Sequence, residues 1–327
     1  MNFRPDPVQT TARRREWKNL TGREFAEMDR ARTVVMVTCS PLEVHGPHLP
    51  VITDNLEAEA ISIRTMEILN QRHPEMEFLH LPPIYVAADV VPHPGSVMFR
   101  SSTIIRVLSD LGRSLGRQGF RHVWVASFHG GPRHFIPIEV ACERSNRRWG
   151  TRMVSAFSLL IRRLTGGGSD LASVLGHVRG VTPDDLSGDS HAGAIETSMM
   201  LHLLGDHVDP EYRRLAHQTV DRELARQGRP PIRQGRILDL LRGFKYKMKF
   251  YETYTYTGKP AIASPEVGRE MIDILAGHSA AALEEVWDGR LDPRDCHSPL
   301  WPIRRVFTSP LLSWAFERAV RYRSQVF

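Results

Sequence analysis

The stretch that organises this chain runs PLEVHGPHLPVITDN from Pro41 to Asn55. It places two carboxylates, Glu43 and Asp54, around two imidazoles in a loop stiffened by prolines. Glu43 and His45 lie two positions apart, so in an extended loop their side chains leave the backbone on the same side. Packing requires neither a glutamate nor two histidines beside Gly46. The stretch therefore predicts the first half of a metal site.

Apolar segments on both sides of this loop alternate between strand-like and helix-like patterns. A valine-rich segment at 33–38 predicts a buried strand, and spaced apolar residues at 54–70 predict a helix. Further strands are predicted at 78–86, 122–127, 152–160 and 244–250, and helices at 103–115, 134–147, 212–226 and 265–287, with another that begins near Glu196 and ends near Leu204. Thr21 and Glu24 have the spacing of a helix capping box. The predicted class is α/β, with a largely parallel sheet covered by helices on both faces.

Composition indicates an ordinary soluble globular protein. The chain has 327 residues, is 41% hydrophobic and carries a formal net charge of +6 that is spread along its length. Basic residues do not gather in a run, so nucleic acid is not an expected partner. Three widely spaced cysteines predict a reducing compartment without structural disulfides, and no apolar run is long enough to cross a bilayer. We expect a cytoplasmic protein.

Three regions divide the chain. Residues 1–16 are expected to form a flexible N-terminal arm, and residues 17–288 the main domain, with a glycine-rich break at 166–168. Residues 289–327 form an extension in which aromatic residues alternate with arginines and prolines. Such a tail would suit a membrane surface, but we favour packing on its own domain or on a neighbouring subunit.

Two later loops carry residues of the same chemical types as the first. His129 follows the predicted strand 122–127 and precedes two glycines, which allow a close approach of the backbone. His191 and Glu196 lie five apart, which places His191 in a loop and Glu196 in the first turn of the next helix. Ligands of parallel sheets bind outside the carboxyl ends of the strands. We therefore expect these residues to meet the loop 41–55 at one rim of the sheet.

The combined set contains three carboxylates and two histidines as candidate metal ligands: Glu43, His45, Asp54, His129 and Glu196. Imidazole and carboxylate together suit a divalent ion such as zinc, manganese or iron. The number of ligands exceeds what one catalytic zinc takes and favours two ions, with Asp54 as the candidate bridge. Two ions can lower the pKa of a shared water and polarise a carbonyl, so hydrolysis is the predicted chemistry.

Each of these residues taken alone has a simpler explanation. Asp54, with Glu57 three positions later, would serve as a helix cap. His129 would serve as a hydrogen-bonded core histidine, and Glu196 as a favourable charge at a helix N-terminus. Three other histidines are expected to have structural or supporting roles: His48, His93 and His134. The metal site is preferred because every candidate ligand falls at a strand end or a helix start.

The motifs together resemble the creatininase (creatinine amidohydrolase) family. The opening signature is EVHGPHLP at 43–50, completed by Asp54. The later motifs follow in the family order: HPGS at 93–96, Gly119-Phe120, HGG at 129–131, HAGAIETS at 191–198, and the segment 258–268. The resemblance covers residues 17–285, and its first and fourth motifs are the specific ones.

The resemblance implies a three-layer α/β/α fold, often assembled as a hexamer, with a binuclear metal centre that hydrolyses cyclic amides or formamides. The implied ligand sets are Glu43, Asp54 and His129 for one ion, and His45, Asp54 and Glu196 for the other. His191 resembles the family histidine that contacts the substrate and moves protons. His191 and Glu196 are thus the predicted catalytic residues.

Three features depart from the family pattern. Creatininase has a carboxylate where this chain has Gly131, so Glu196 must supply that ligand, as in family members that carry HGG. Those members usually continue with asparagine, whereas Pro132 cannot donate a hydrogen bond and would alter support of the ligands or contact with the substrate. The loop before His191 also lacks the tryptophans that enclose creatinine. Creatinine is therefore not the expected substrate.

The sequence predicts a metal-dependent hydrolase of a non-peptide carbon–nitrogen bond in a small cyclic amide or formamide. The resemblance also brings in relatives that act on formylated pyrimidine-like intermediates and on a peptide cofactor precursor. Two rivals stay open, a non-catalytic protein of the same fold that binds a metabolite or partner, and a metal-dependent phosphoesterase. The expected partners are a small-molecule amide and further copies of the chain, and neither nucleic acid nor a membrane.

Overall fold

The central feature of the fold is a parallel sheet. The computed structural model describes residues 14–165, 175, 177–232, 237–322, 325 and 326. Within these ranges the strands are β1 (Arg14–Glu16), β2 (Thr33–Cys39), β3 (Glu77–Ile84), β4 (His122–Ala126) and β5 (Arg152–Ser155). They form a five-stranded sheet in the order β1-β3-β2-β4-β5, and every neighbouring pair is parallel.

Helices connect most of the strands and, with loops, make up the rest of the described chain. They are α1 (Gly22–Glu27), α2 (Thr53–Arg72), α3 (Ser101–Arg117), α4 (Pro132–Trp149), α5 (Ala156–Thr165), α6 (Ala194–Leu204), α7 (Val220–Arg226), α8 (Ile237–Tyr251), α9 (Pro265–Trp287), α10 (Arg304–Thr308) and α11 (Pro310–Val320). The predicted capping box is present at the start of α1, where the Thr21 side chain accepts from the backbone of Glu24 and the Glu24 side chain from that of Thr21.

Strand β2 is buried on both faces, which explains its continuous apolar sequence. Val35 and Val37 point to one face, where they share a core with side chains of α3 and α4. Val34 and Met36 point to the other face and pack with side chains of α2, α5 and α9. The predicted three-layer α/β/α architecture is therefore confirmed.

The two loops with candidate ligands leave the sheet side by side. Strand β2 pairs with β4 through residues that end at Thr38 and Ala126. The loop 40–52 follows β2 directly, and the loop 127–131 follows β4. Because the strands are parallel, both loops emerge at the same rim of the sheet, as the sequence predicts.

Three predicted elements differ from the structure. The strand expected at 152–160 ends at Ser155, and the rest of that apolar run forms α5. The helix expected at 212–226 is split, because a short 3-10 turn (Pro210–Arg214) is separated from α7. The strand expected at 244–250 lies inside α8. In the first and third cases the apolar run was located correctly, but its period was assigned to a strand where the chain forms a helix; in the second case the element type was right and its continuity was wrong.

The structure can be compared with the predicted N-terminal arm and C-terminal extension. Arg14–Glu16 forms the edge strand β1, so these residues belong to the sheet and not to the expected arm, while residues 1–13 and the glycine-rich break at 166–168 lie outside the described residues. The described part of the extension packs back on its own domain, as in the buried ion pair between Glu317 and Arg133. All three cysteines are buried and free. No helix among the described residues is long and apolar enough to span a membrane.

Candidate metal centre

Asp54 lies at the middle of the candidate site. It is in the first turn of α2 and is 1% exposed. Its Oδ1 is 3.4 Å from Nε2 of His45, and its Oδ2 is 3.3 Å from Nδ1 of His129. The carboxylate therefore faces one imidazole with each of its oxygens, the arrangement that a bridging ligand requires.

Backbone carbonyls fix the orientation of both imidazoles. His45 Nδ1 donates to the carbonyl of Glu43 at 3.0 Å, so its Nε2 faces Asp54 and, at 3.6 Å, Glu196. His129 Nε2 donates to the carbonyl of Ala88 at 3.0 Å, so its Nδ1 faces the carboxylates. Such hydrogen bonds select the tautomer that presents a free ring nitrogen to a metal ion.

Backbone N–H groups hold the two outer carboxylates. Glu43 Oε1 accepts from the N–H of Val91 at 2.6 Å, and its Oε2 lies 3.0 Å from His129 Nδ1. Glu196, in the first turn of α6, accepts from the N–H of Ala192 at 2.5 Å. Ala192 has a φ of 48°, a left-handed conformation that is strained for alanine. Strain of this kind concentrates at functional sites, and here it aims an N–H at a candidate ligand.

The carboxylates change the pKa values of the buried imidazoles. Burial opposes the charged form of His45, but Asp54 and then Glu196 outweigh it and raise the pKa to about 10. Against burial, chiefly Glu43 and Asp54 also raise the pKa of His129. Burial raises the pKa of Glu196 to about 7. Protons on the two imidazoles thus balance the carboxylates, and a divalent ion that binds here has to displace them.

His191 differs from the other two histidines. Its ring centre is 4.2 Å from that of His45, and its Nε2 donates to the carbonyl of Val44 at 2.9 Å. Burial, helped by the neighbouring His45, lowers the pKa of His191 to about 4. The imidazole is therefore neutral at pH 7, with Nδ1 free to accept a proton.

The donor atoms fit divalent cations. Among the described residues, three buried atoms of this group have no polar partner except one another and the facing imidazole and carboxylate atoms of the same group: Glu43 Oε2, His45 Nε2 and Asp54 Oδ2. Buried polar atoms need partners, and two divalent cations in place of the imidazole protons would satisfy all three. Ligand atoms within 4.8 Å of one another form three sets, namely Glu43, Asp54 and His129; His45, Asp54 and Glu196; and Glu43, His45 and His191. The first two sets are those that the resemblance implies.

The departures at Gly131 and Pro132 have a structural explanation. A Cβ at Gly131 would lie 2.5 Å from the Cβ of Asp89 and 2.8 Å from His129 Nε2, so only glycine fits. Asp89 fills the available space and accepts from the N–H of Arg133 at 2.6 Å, which caps the start of α4. Pro132 is the first residue of α4, where its missing N–H costs nothing. Neither substitution removes a ligand from the two implied sets.

A cavity of about 420 Å³ opens onto the candidate centre. Besides the predicted residues, its lining includes Asp189, Lys247, Tyr251 and Tyr322. Asp189 caps α6 by accepting from the N–H of Ala194 at 2.5 Å. Its position two residues before the HAGAIETS motif is a sequence feature that could have marked it as a residue of the site. Spacing alone carried no signal for the other three, which reach the cavity from α8 and from the extension.

The three histidines expected to have supporting roles belong to none of the ligand sets found among the described residues. His48 Nε2 is 2.8 Å from the Thr197 hydroxyl, and His134 Nε2 donates to the carbonyl of Cys39 at 3.0 Å. His93 Nε2 donates to the carbonyl of Tyr251 at 3.0 Å. These bonds connect chain segments near the candidate ligands to the neighbouring elements.

Comparison with known proteins identifies the family. Residues 18–283 match the family model for creatininase, described as creatinine amidohydrolase. The chain belongs to the creatininase family. A curated relative is the mycofactocin precursor peptide peptidase of Mycolicibacterium smegmatis, 28% identical over 177 residues. That match covers 54% of this chain and 60% of the peptidase, so it spans less than two thirds of the relative. Family and relative together support a metal-dependent amidohydrolase.

Solved structures of creatininases share the fold. A mutant creatininase of the Zn-Zn type superposes with a TM-score of 0.55 at 18% identity, over 83% of this chain and 97% of that chain. A manganese creatininase gives a TM-score of 0.52 at 20% identity, over the same shares of the two chains. At these identities the likeness establishes the fold alone.

Proposed function

We propose that this creatininase-family protein is a binuclear metal-dependent amidohydrolase that acts on a small cyclic amide or formamide. The observation that carries this proposal is the pair of three-residue ligand sets that share Asp54. A phosphoesterase could use the same ligands, but family membership favours attack on a carbon–nitrogen bond. A peptide amide is the second candidate substrate, because the curated relative is named as a peptidase.

The proposed ligands divide between the two ions as the sets do. Glu43, Asp54 and His129 would hold one ion, and His45, Asp54 and Glu196 the other. Zinc and manganese are the first ions to test, because related structures carry them in their descriptions. Two such ions would lower the pKa of the attacking water and polarise the carbonyl of the substrate.

The protein itself would supply the proton transfers and the dry surroundings. Neutral His191 can accept a proton at Nδ1 and return it to the leaving nitrogen, a role that needs an imidazole uncharged at working pH. The Nε2 bond to the Val44 carbonyl keeps the ring in one orientation during both transfers. Phe128 and Phe157 line the cavity and give one side of it an apolar wall, which would favour the exclusion of water around a bound substrate.

Metal analysis combined with a substrate panel tests the proposal. The purified protein is expected to bind two zinc or manganese ions per chain and to hydrolyse a cyclic amide or a formamide among a panel that also contains short peptides and phosphate esters. Less than one ion per chain would favour the non-catalytic rival. Two ions with turnover of phosphate esters alone would favour the phosphoesterase.

Replacing Glu196 with glutamine should empty mainly one of the two sites. Glu196 belongs to only one of the two implied ligand sets, whereas Asp54 belongs to both. An amide is a weak ligand for a divalent ion, so we expect about one bound ion per chain. Elemental analysis of the purified variant measures this directly. Unchanged stoichiometry would show that another residue provides the ligand.

A further inference from the structure

The C-terminal extension returns to the wall of the active-site cavity. It begins after the last residue of the family match, residue 283, and its Tyr322 lines the cavity. The Tyr322 hydroxyl donates to the carbonyl of Val90 at 3.4 Å. On α11, Glu317 is 3% exposed and pairs with Arg133, which follows the HGG motif closely. Two residues of the extension thus contact the site from outside the family core.

Tyr322 contacts the segment 88–91 directly, and Glu317 reaches it through Arg133. Two proposed metal ligands contact the same segment. Four successive residues of this segment are held from different directions. The carbonyl of Ala88 accepts from His129, and the N–H of Val91 donates to Glu43. Between them, Asp89 pairs with Arg133 and the carbonyl of Val90 accepts from Tyr322. The segment therefore joins the extension to the two ligands.

The segment needs support to keep this shape. Asp89 has a φ of 64°, a left-handed conformation that residues other than glycine seldom adopt. The Arg133 guanidinium lies between Asp89 and Glu317, and all three side chains are at most 7% exposed. A guanidinium held on two sides by carboxylates has one orientation. Glu317 thus fixes the arginine that fixes Asp89.

We propose that Glu317 and Tyr322 are positioning residues of the metal centre. Through Arg133 and Val90 they hold the segment 88–91, and that segment holds His129 and Glu43 in the orientation in which they bind a metal ion. This inference rests on the proposed function, because the proposed function assigns His129 and Glu43 as metal ligands. The extension is then a part of the active site, in addition to its packing on the domain.

Glu317→Gln and Tyr322→Phe test this role with small changes of shape. Residues that orient metal ligands typically contribute about 10- to 100-fold in metal affinity or activity. We expect each variant to bind zinc about 10-fold or more weakly, in competition with a chromophoric chelator, and to lose kcat/KM to a similar extent. The melting temperature of the metal-free protein reports separately on folding.

Matched controls are Glu270→Gln and Tyr85→Phe. Glu270 is an exposed glutamate on α9, and Tyr85 is 42% exposed. Both should bind zinc like the unmodified protein. Wild-type zinc affinity in Glu317→Gln and Tyr322→Phe, with or without a lower melting temperature, would overturn the positioning role and leave the proposed function intact. If the unmodified protein binds no zinc or manganese, the proposed function fails together with this inference.

Discussion

Replacing Asp54 with asparagine should remove both metal ions and abolish hydrolysis. Asp54 is shared by the two implied ligand sets, with Oδ1 3.4 Å from His45 and Oδ2 3.3 Å from His129. Asparagine keeps the size but loses the charge and one of the two acceptor oxygens. Without the ions, the pKa of the attacking water would stay at about 16 instead of falling to about 7. We expect kcat/KM to fall by at least about 10³-fold, measured by initial rates beside elemental analysis.

Glu57→Gln is the matched control for this experiment. Glu57 lies three residues further along α2 and is 0% exposed. Burial, followed by the charges of Glu196 and Asp54, raises the pKa of Glu57 well above the ordinary value and so favours the neutral carboxyl group, which glutamine resembles in size and charge. This variant should keep both ions. Two ions in Asp54→Asn would remove the bridging role, and loss of ions in both variants would mean that any polar change on this helix face disturbs the centre.

The meeting of the candidate ligands at one rim could be predicted from the sequence, because it follows from chain topology. His45 and His129 each come shortly after a buried strand, and parallel strands end on the same side of a sheet. The prediction needed only the order of strands and the residue types behind them. The two residues are 84 positions apart, yet both face Asp54.

The outer wall of the cavity could not be predicted in this way. The run at 244–250 alternates lysines with apolar residues, which is typical of a half-exposed strand, but Tyr246 and Phe250 also lie four apart, on one face of a helix. Tertiary packing decides between the two, and Phe250 is buried in α8. Because the run was assigned the period of a strand, Lys247 and Tyr251 were not predicted to line the site.

The contacts that hold the segment 88–91 could not be predicted for a different reason. Arg133 depends on Glu317, which lies 184 residues later in the chain. No periodicity or motif relates two such residues, because their contact is made by packing of α11 on the main domain. The sequence marked the extension as apolar enough to pack, and the structure adds which polar groups it covers.

Replacing His191 with glutamine should lower kcat by about 10²- to 10⁴-fold, the usual contribution of a general acid or base. Burial lowers the pKa of His191 to about 4, so the ring is a neutral proton acceptor at pH 7. Glutamine can keep a hydrogen bond to the Val44 carbonyl but cannot accept and return a proton. The metal content should stay at two ions per chain, which separates this variant from Asp54→Asn. Rates at saturating substrate and elemental analysis measure the two quantities.

His122→Gln is the control for the loss of a neutral buried imidazole. Burial also lowers the pKa of His122 to about 4, but this residue begins β4 and packs on Trp287 with ring centres 4.6 Å apart, at the opposite end of the strand from the metal centre. It should keep the wild-type kcat. If His191→Gln instead loses an ion, His191 is a ligand, in the third set with Glu43 and His45. If that variant keeps both its ions and its rate, the proton moves through another group that lines the cavity. Asp189 is the candidate, because it lies two residues before His191 and burial raises the pKa of its carboxyl group to about 8.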